Sequence, residues 1–125
     1  MCSGARASQP TLFPPNGKLV AEQIVGVTDP SGSPTITIDS IRQDEPPLNV
    51  DDLTCPDGTG TRTSTAQVRS ERDGIGDGRV YHLGFTARNR SGGSCSGEVK
   101  VCVPHDHTHT SCGDGGATFD STLCL

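Results

Sequence analysis

From residue 18 onward the chain alternates apolar and polar positions in short runs separated by turn residues. KLVAEQIVGVTD (18–29) sets Leu19, Ala21, Gln23, Val25 and Val27 against Val20, Glu22, Ile24 and Gly26, which predicts a strand. Asp29-Pro30-Ser31-Gly32-Ser33-Pro34 predicts a turn. Thr35-Ile36-Thr37-Ile38-Asp39 is a β-branched, period-two run that continues through Ile41 and stops at Asp44-Glu45-Pro46-Pro47. Residues 46–62 then read as a long loop. Thr63 to Glu71 predicts a strand with Ala66 and Val68 on one face, followed by a glycine-rich hairpin connection over 72–78. Arg79 to Asn89 carries the largest apolar face: Tyr81, Leu83, Phe85 and Ala87 point one way, and His82, Gly84, Thr86 and Arg88 the other. After the turn Ser91–Ser94, the strand Glu98–Val103 places its valines inward and Glu98, Lys100 and Cys102 outward, and Pro104 ends it.

Five strands are thus predicted, with one or two more in the proline-rich lead-in (1–17) and the long loop. Their spacing is that of a two-sheet Greek-key sandwich over residues 18–106. Residues 107–125 form a Cys/His-containing C-terminal extension.

Composition narrows what such a sandwich can be. Leu, Ile, Val and Phe make up under a fifth of the chain, at the edge of what can bury enough apolar surface to fold. Six cysteines supply what the thin core lacks: Cys2, Cys55, Cys95, Cys102, Cys112 and Cys124. An even count in a Gly/Ser/Thr-rich chain implies disulfides and an oxidising, extracellular compartment. Six cysteines allow about 15 pairings, all open at this point. A net charge of -5 with scattered Lys and Arg argues against nucleic-acid binding, and no apolar run is long enough to span a membrane.

LFPPNGKLV, the DEP after the second strand, RSERDGIGDGRVYHLGFTARNRSGG and EVKVCVPHD together resemble an immunoglobulin-like module of large bacterial secreted and surface proteins, with cadherin-like and hyalin-repeat-like relatives. The resemblance covers residues 12–106. It implies a seven-stranded sandwich, export, and adhesive, spacing or assembly roles without catalysis. In cadherin-like relatives an acidic motif before the tyrosine-bearing strand helps to hold calcium. Glu71 matches it, but Arg88 and Asn89 stand where a second acidic residue belongs.

Candidate chemistry is confined to loops and the extension. Asp44, Glu45, Asp57 and Glu71 lie at strand ends and in loops, where calcium takes carboxylate oxygens. Asp73 and Asp77 lie in the hairpin connection. His105, His107 and His109 alternate, so in an extended segment they project to one side, an arrangement open to a transition metal. Asn89-Arg90-Ser91 fits the N-glycosylation pattern. There is no nucleophile elbow, and the glycines at 74, 76 and 78 precede a strand with no Lys after them. The expectation is therefore a non-enzymatic extracellular structural or adhesive module. Its partners are proteins, including copies of itself meeting through edge strands and tail. The alternative is a secreted metal-binding domain using the His-rich extension.

Overall fold

A computed structural model describes residues 1–46, 55–72, 78–106 and 112–123. Among these there is no helix. Eight strands form two four-stranded sheets: β1 Arg6–Ala7, β2 Leu19–Val25, β3 Thr35–Gln43, β4 Gly58–Thr59, β5 Thr65–Arg69, β6 Arg79–Arg88, β7 Ser94–Val103 and β8 Phe119–Asp120. The first sheet runs β1-β2-β5-β4 and the second β7-β6-β3-β8, with every strand pair antiparallel.

The period-two patterns set which faces meet. Ile24, Ala66 and Val68 from the first sheet pack with Ile38, Ile41, Tyr81, Leu83, Phe85, Ala87, Val99, Val101 and Val103 from the second in one core. β3 keeps both Ile38 and Ile41 inward, although they are three residues apart, because its register against β6 slips between Ile38 and Ser40. Asp39 is the extra residue of this bulge.

The lead-in belongs to the sandwich. Arg6 and Ala7 pair with Val25 and Ile24 of the first sheet. The chain then crosses over, and Thr11 bridges Cys102 in parallel on the second. There the Cys102 N–H donates to Pro10 O (2.8 Å) and the Leu12 N–H to Cys102 O (2.9 Å). Ala7 and Leu12 are buried by this crossing.

The C-terminal extension straps the outer face of the second sheet. It starts at the Cys102–Cys112 disulfide on β7, touches β6 through Asp114, and accepts hydrogen bonds from Arg42 of β3 at Ala117 O (2.9 Å) and Thr118 O (3.4 Å). It then adds β8 to the edge of β3, with Phe119 opposite Gln43 and Asp120 opposite Arg42. Ser121 joins the sheets: its N–H donates to Ile41 O, and its carbonyl accepts from Asp57 N and Gly58 N. A Cβ on Gly58 would lie 2.7 Å from Ile41 and 3.0 Å from Ser121, so only glycine fits that crossing.

Candidate functional site

Two charge clusters flank β6, and strand parity creates both. Arg79 shares the inward phase of Tyr81 and Leu83, whereas His82 shares the outward phase of Gly84 and Thr86.

The inner cluster sits at one end of the sandwich, where several strand ends converge. Glu45 follows β3, Asp57 precedes β4 and Glu71 follows β5. All three turn to the Arg79 guanidinium, which is 1% exposed. Its Nε lies 2.9 Å from Glu45 Oε1, and its Nη1 lies 3.1 Å from Asp57 Oδ2 and 3.7 Å from Glu71 Oε1. Nη1 also donates to Tyr81 Oη (3.0 Å), and that hydroxyl donates in turn to Arg69 O (2.7 Å). Gln43 Nε2 donates to Asp57 Oδ2 (3.0 Å) and Glu45 O (2.8 Å). Arg69 closes the cluster by donating to Gly17 O and Pro56 O, with Nε 3.5 Å from Asp57 Oδ1. Burial opposes the charge on Arg79, but Tyr81, Asp57 and Glu45 outweigh it and push its pKa above the ordinary guanidinium value. Burial also pushes the Tyr81 phenol up, against the pull of the Arg79 cation. A cation that cannot lose its proton, surrounded by carboxylates and a phenol, ties strand ends together and transfers no proton.

Three of the four residues considered as calcium ligands, Glu45, Asp57 and Glu71, therefore converge, and the cation among them is Arg79. Asp44 is apart from them: it accepts from Val80 N (2.9 Å) and from Gly115 N of the strap (3.1 Å). His105 holds Asp106 (3.1 Å), and its carbonyl accepts from Arg72. His107, His109, Asp73, Asp77 and Cys124 lie outside the described residues. Among the described residues, no three His, Cys, Asp or Glu side chains are arranged to hold a metal ion. Cys2 pairs with Cys95 and Cys102 with Cys112, and Cys55 is also disulfide-bonded. The Asn89 amide is engaged internally: Nδ2 donates to Asp29 (3.0 Å), and Oδ1 accepts from Ser91 N and Gly93 N.

The outer cluster surrounds His82. Its Nδ1 is 2.5 Å from Glu98 Oε1, and its Nε2 is 2.9 Å from Asp114 Oδ1. Lys100 Nζ (2.8 Å) and Gly116 N (2.9 Å) also bind Asp114. Although it points outward, His82 is 6% exposed, because the strap lies over it. The alternation of β6 and β7 already puts His82, Glu98 and Lys100 on one face. Asp114 arrives only by the course of the strap, which no local pattern announces.

Glu22, on β2, is the third buried acid. Its Oε1 accepts from Gln9 N (2.8 Å) and Ser8 Oγ (3.3 Å), and its Oε2 has no hydrogen-bond partner. Burial raises its pKa to about 7, against the lowering effect of those two donors.

Comparison with known protein families, characterised proteins and solved structures returns no match.

Proposed function

We propose that this chain is a non-enzymatic extracellular module of immunoglobulin-like type, which serves a structural or adhesive role by pairing with other proteins, copies of itself included. The observation that carries this reading is the strand order. β1-β2-β5-β4 facing β7-β6-β3 follows the ABED and CFG sheets of a constant-type immunoglobulin sandwich. The crossing of residues 8–12 from β2 to β7 supports it, as does the tyrosine on β6 whose hydroxyl ties back to the end of β5. Disulfides in a chain with so thin a core support an oxidising location. The charged side chains of the inner cluster are spent on holding strand ends together, as in a scaffold.

Protease shaving of intact source cells, followed by electron microscopy and light scattering of the purified chain, tests the reading. Surface release together with concentration-dependent assembly is expected. A chain confined to the cytoplasm, or one that stays monomeric at millimolar concentration and binds no surface protein, would overturn it.

A further inference from the structure

We propose that residues 112–118 form a pH-operated latch, closed by the imidazolium of His82 and loosened when that ring loses a proton. The geometry requires the charged ring. Ionised carboxylates only accept hydrogen bonds, and His82 meets one at each nitrogen, so both nitrogens must carry hydrogen in the closed strap. A neutral ring keeps one N–H and turns a lone pair toward the other carboxylate.

The surrounding charges are few. β7 contributes Glu98 and Lys100, the latter directly opposite His82. β3 contributes Arg42, opposite His82 on the other side. The strap contributes Asp114, β8 places Asp120 opposite Arg42, and Asp44 beyond β3 holds Gly115. β6 itself adds Val80, Gly84 and Thr86 on this face, with Arg88 at its far end, and Thr86 Oγ1 donates to Asp39 of β3. Burial would depress the His82 pKa, but the hydrogen bonds to Glu98 and Asp114 outweigh it and hold the pKa above the ordinary imidazole value. The Lys100 hydrogen bond leads in pulling Asp114 far below the usual carboxylate range, so Asp114 stays ionised throughout.

The latch is therefore closed in mild acid and loosens as pH rises through the raised pKa of His82. The strap does not depart, because Cys102–Cys112 anchors one end and β8 the other. What changes is access to the outer face of β6 beneath residues 113–118.

Amide exchange of the whole chain tests this, read as protection factors for Gly115 and Gly116 between about pH 5.5 and about pH 8.5. Wild type is expected to lose its protection a few-fold, tracking the His82 titration seen by NMR. His82→Gln is expected to show no such step. Constant protection in wild type, the same step in His82→Gln, or a His82 midpoint at or below the ordinary imidazole value would overturn the latch. If His82→Gln does not fold, Asp114→Asn must lower the His82 midpoint, and an unchanged midpoint is equally fatal.

Discussion

Arg79 and His82 stand three residues apart on one strand, and each is a cation between carboxylates, yet they do opposite work. Arg79 lies between the sheets and meets Glu45, Asp57 and Glu71, brought from the ends of three other strands. His82 lies on the outer face and meets Glu98 of the neighbouring strand and Asp114 of the strap. A guanidinium stays protonated at any physiological pH, so the inner cluster is a permanent tie. An imidazole titrates near neutrality, so the outer one is conditional. Strand phase, by choosing the face, decides which of the two cations joins the core and which meets the strap.

The strongest test of this contrast is to remove the inner cation. Arg79→Met leaves three carboxylates at the sandwich end without their partner, and breaking a buried pair in this way costs about 3–5 kcal/mol. That is comparable to the whole stability of a small domain. Circular dichroism should show an unfolded or barely folded chain. A melt within a few degrees of wild type would refute the permanent tie.

Comparable in size are the ties at the two ends of the chain. Cys2–Cys95 spans 93 residues and Cys102–Cys112 spans 10. Loop entropy makes the first worth about 4–5 kcal/mol and the second about 3 kcal/mol. Paired serine replacements, compared by chemical denaturation, should reproduce that order. Only the Cys102/Cys112 pair should also raise amide exchange in the strap. Tyr81→Phe is smaller: it removes the hydroxyl between Arg79 and Arg69 O and should cost about 1–3 kcal/mol.

Acid–base behaviour sharpens the comparison further. Glu22 binds its proton more tightly folded than unfolded, with its pKa raised from 4.5 to about 7. Its contribution to stability is therefore full below the unfolded value and declines as pH rises to about 7. Glu22→Gln should melt like wild type in acid and should be more stable above neutrality by roughly 1–3 kcal/mol. Equal melting temperatures at pH about 8 would contradict the burial of an ionised Glu22. The smallest effect belongs to His82. Its raised pKa gives a contribution that is complete below the ordinary imidazole value and lost as pH rises through the folded one. With Glu98 half exposed, about 1 kcal/mol or less is expected. A thermal melt series should show this decline in wild type and not in His82→Gln.

What the sequence determined by itself is local. Tyr81, Leu83, Phe85 and Ala87 are all buried, as their alternation on β6 requires, and so are Val99, Val101 and Val103 on β7. The side chains of successive residues leave a strand on opposite faces, so a run of a few residues is enough to reveal which side must avoid water. The same rule placed Arg79 in phase with the core and His82 out of it. Tertiary structure alone decided the long-range partners: Cys95 for Cys2 and Cys112 for Cys102, carboxylates from residues 45, 57 and 71 for Arg79, the crossing at Thr11, and the strap that delivers Asp114 to His82. The bulge at Asp39, which resets β3 so that Ile38 and Ile41 share a face, belongs with them, since it answers to the register of β6. The cost of closing a loop grows only slowly with its length, so local sequence hardly favours one distant partner over another of similar separation. The choice falls to whichever topology buries the apolar faces while surrounding the buried Arg79 guanidinium with carboxylates.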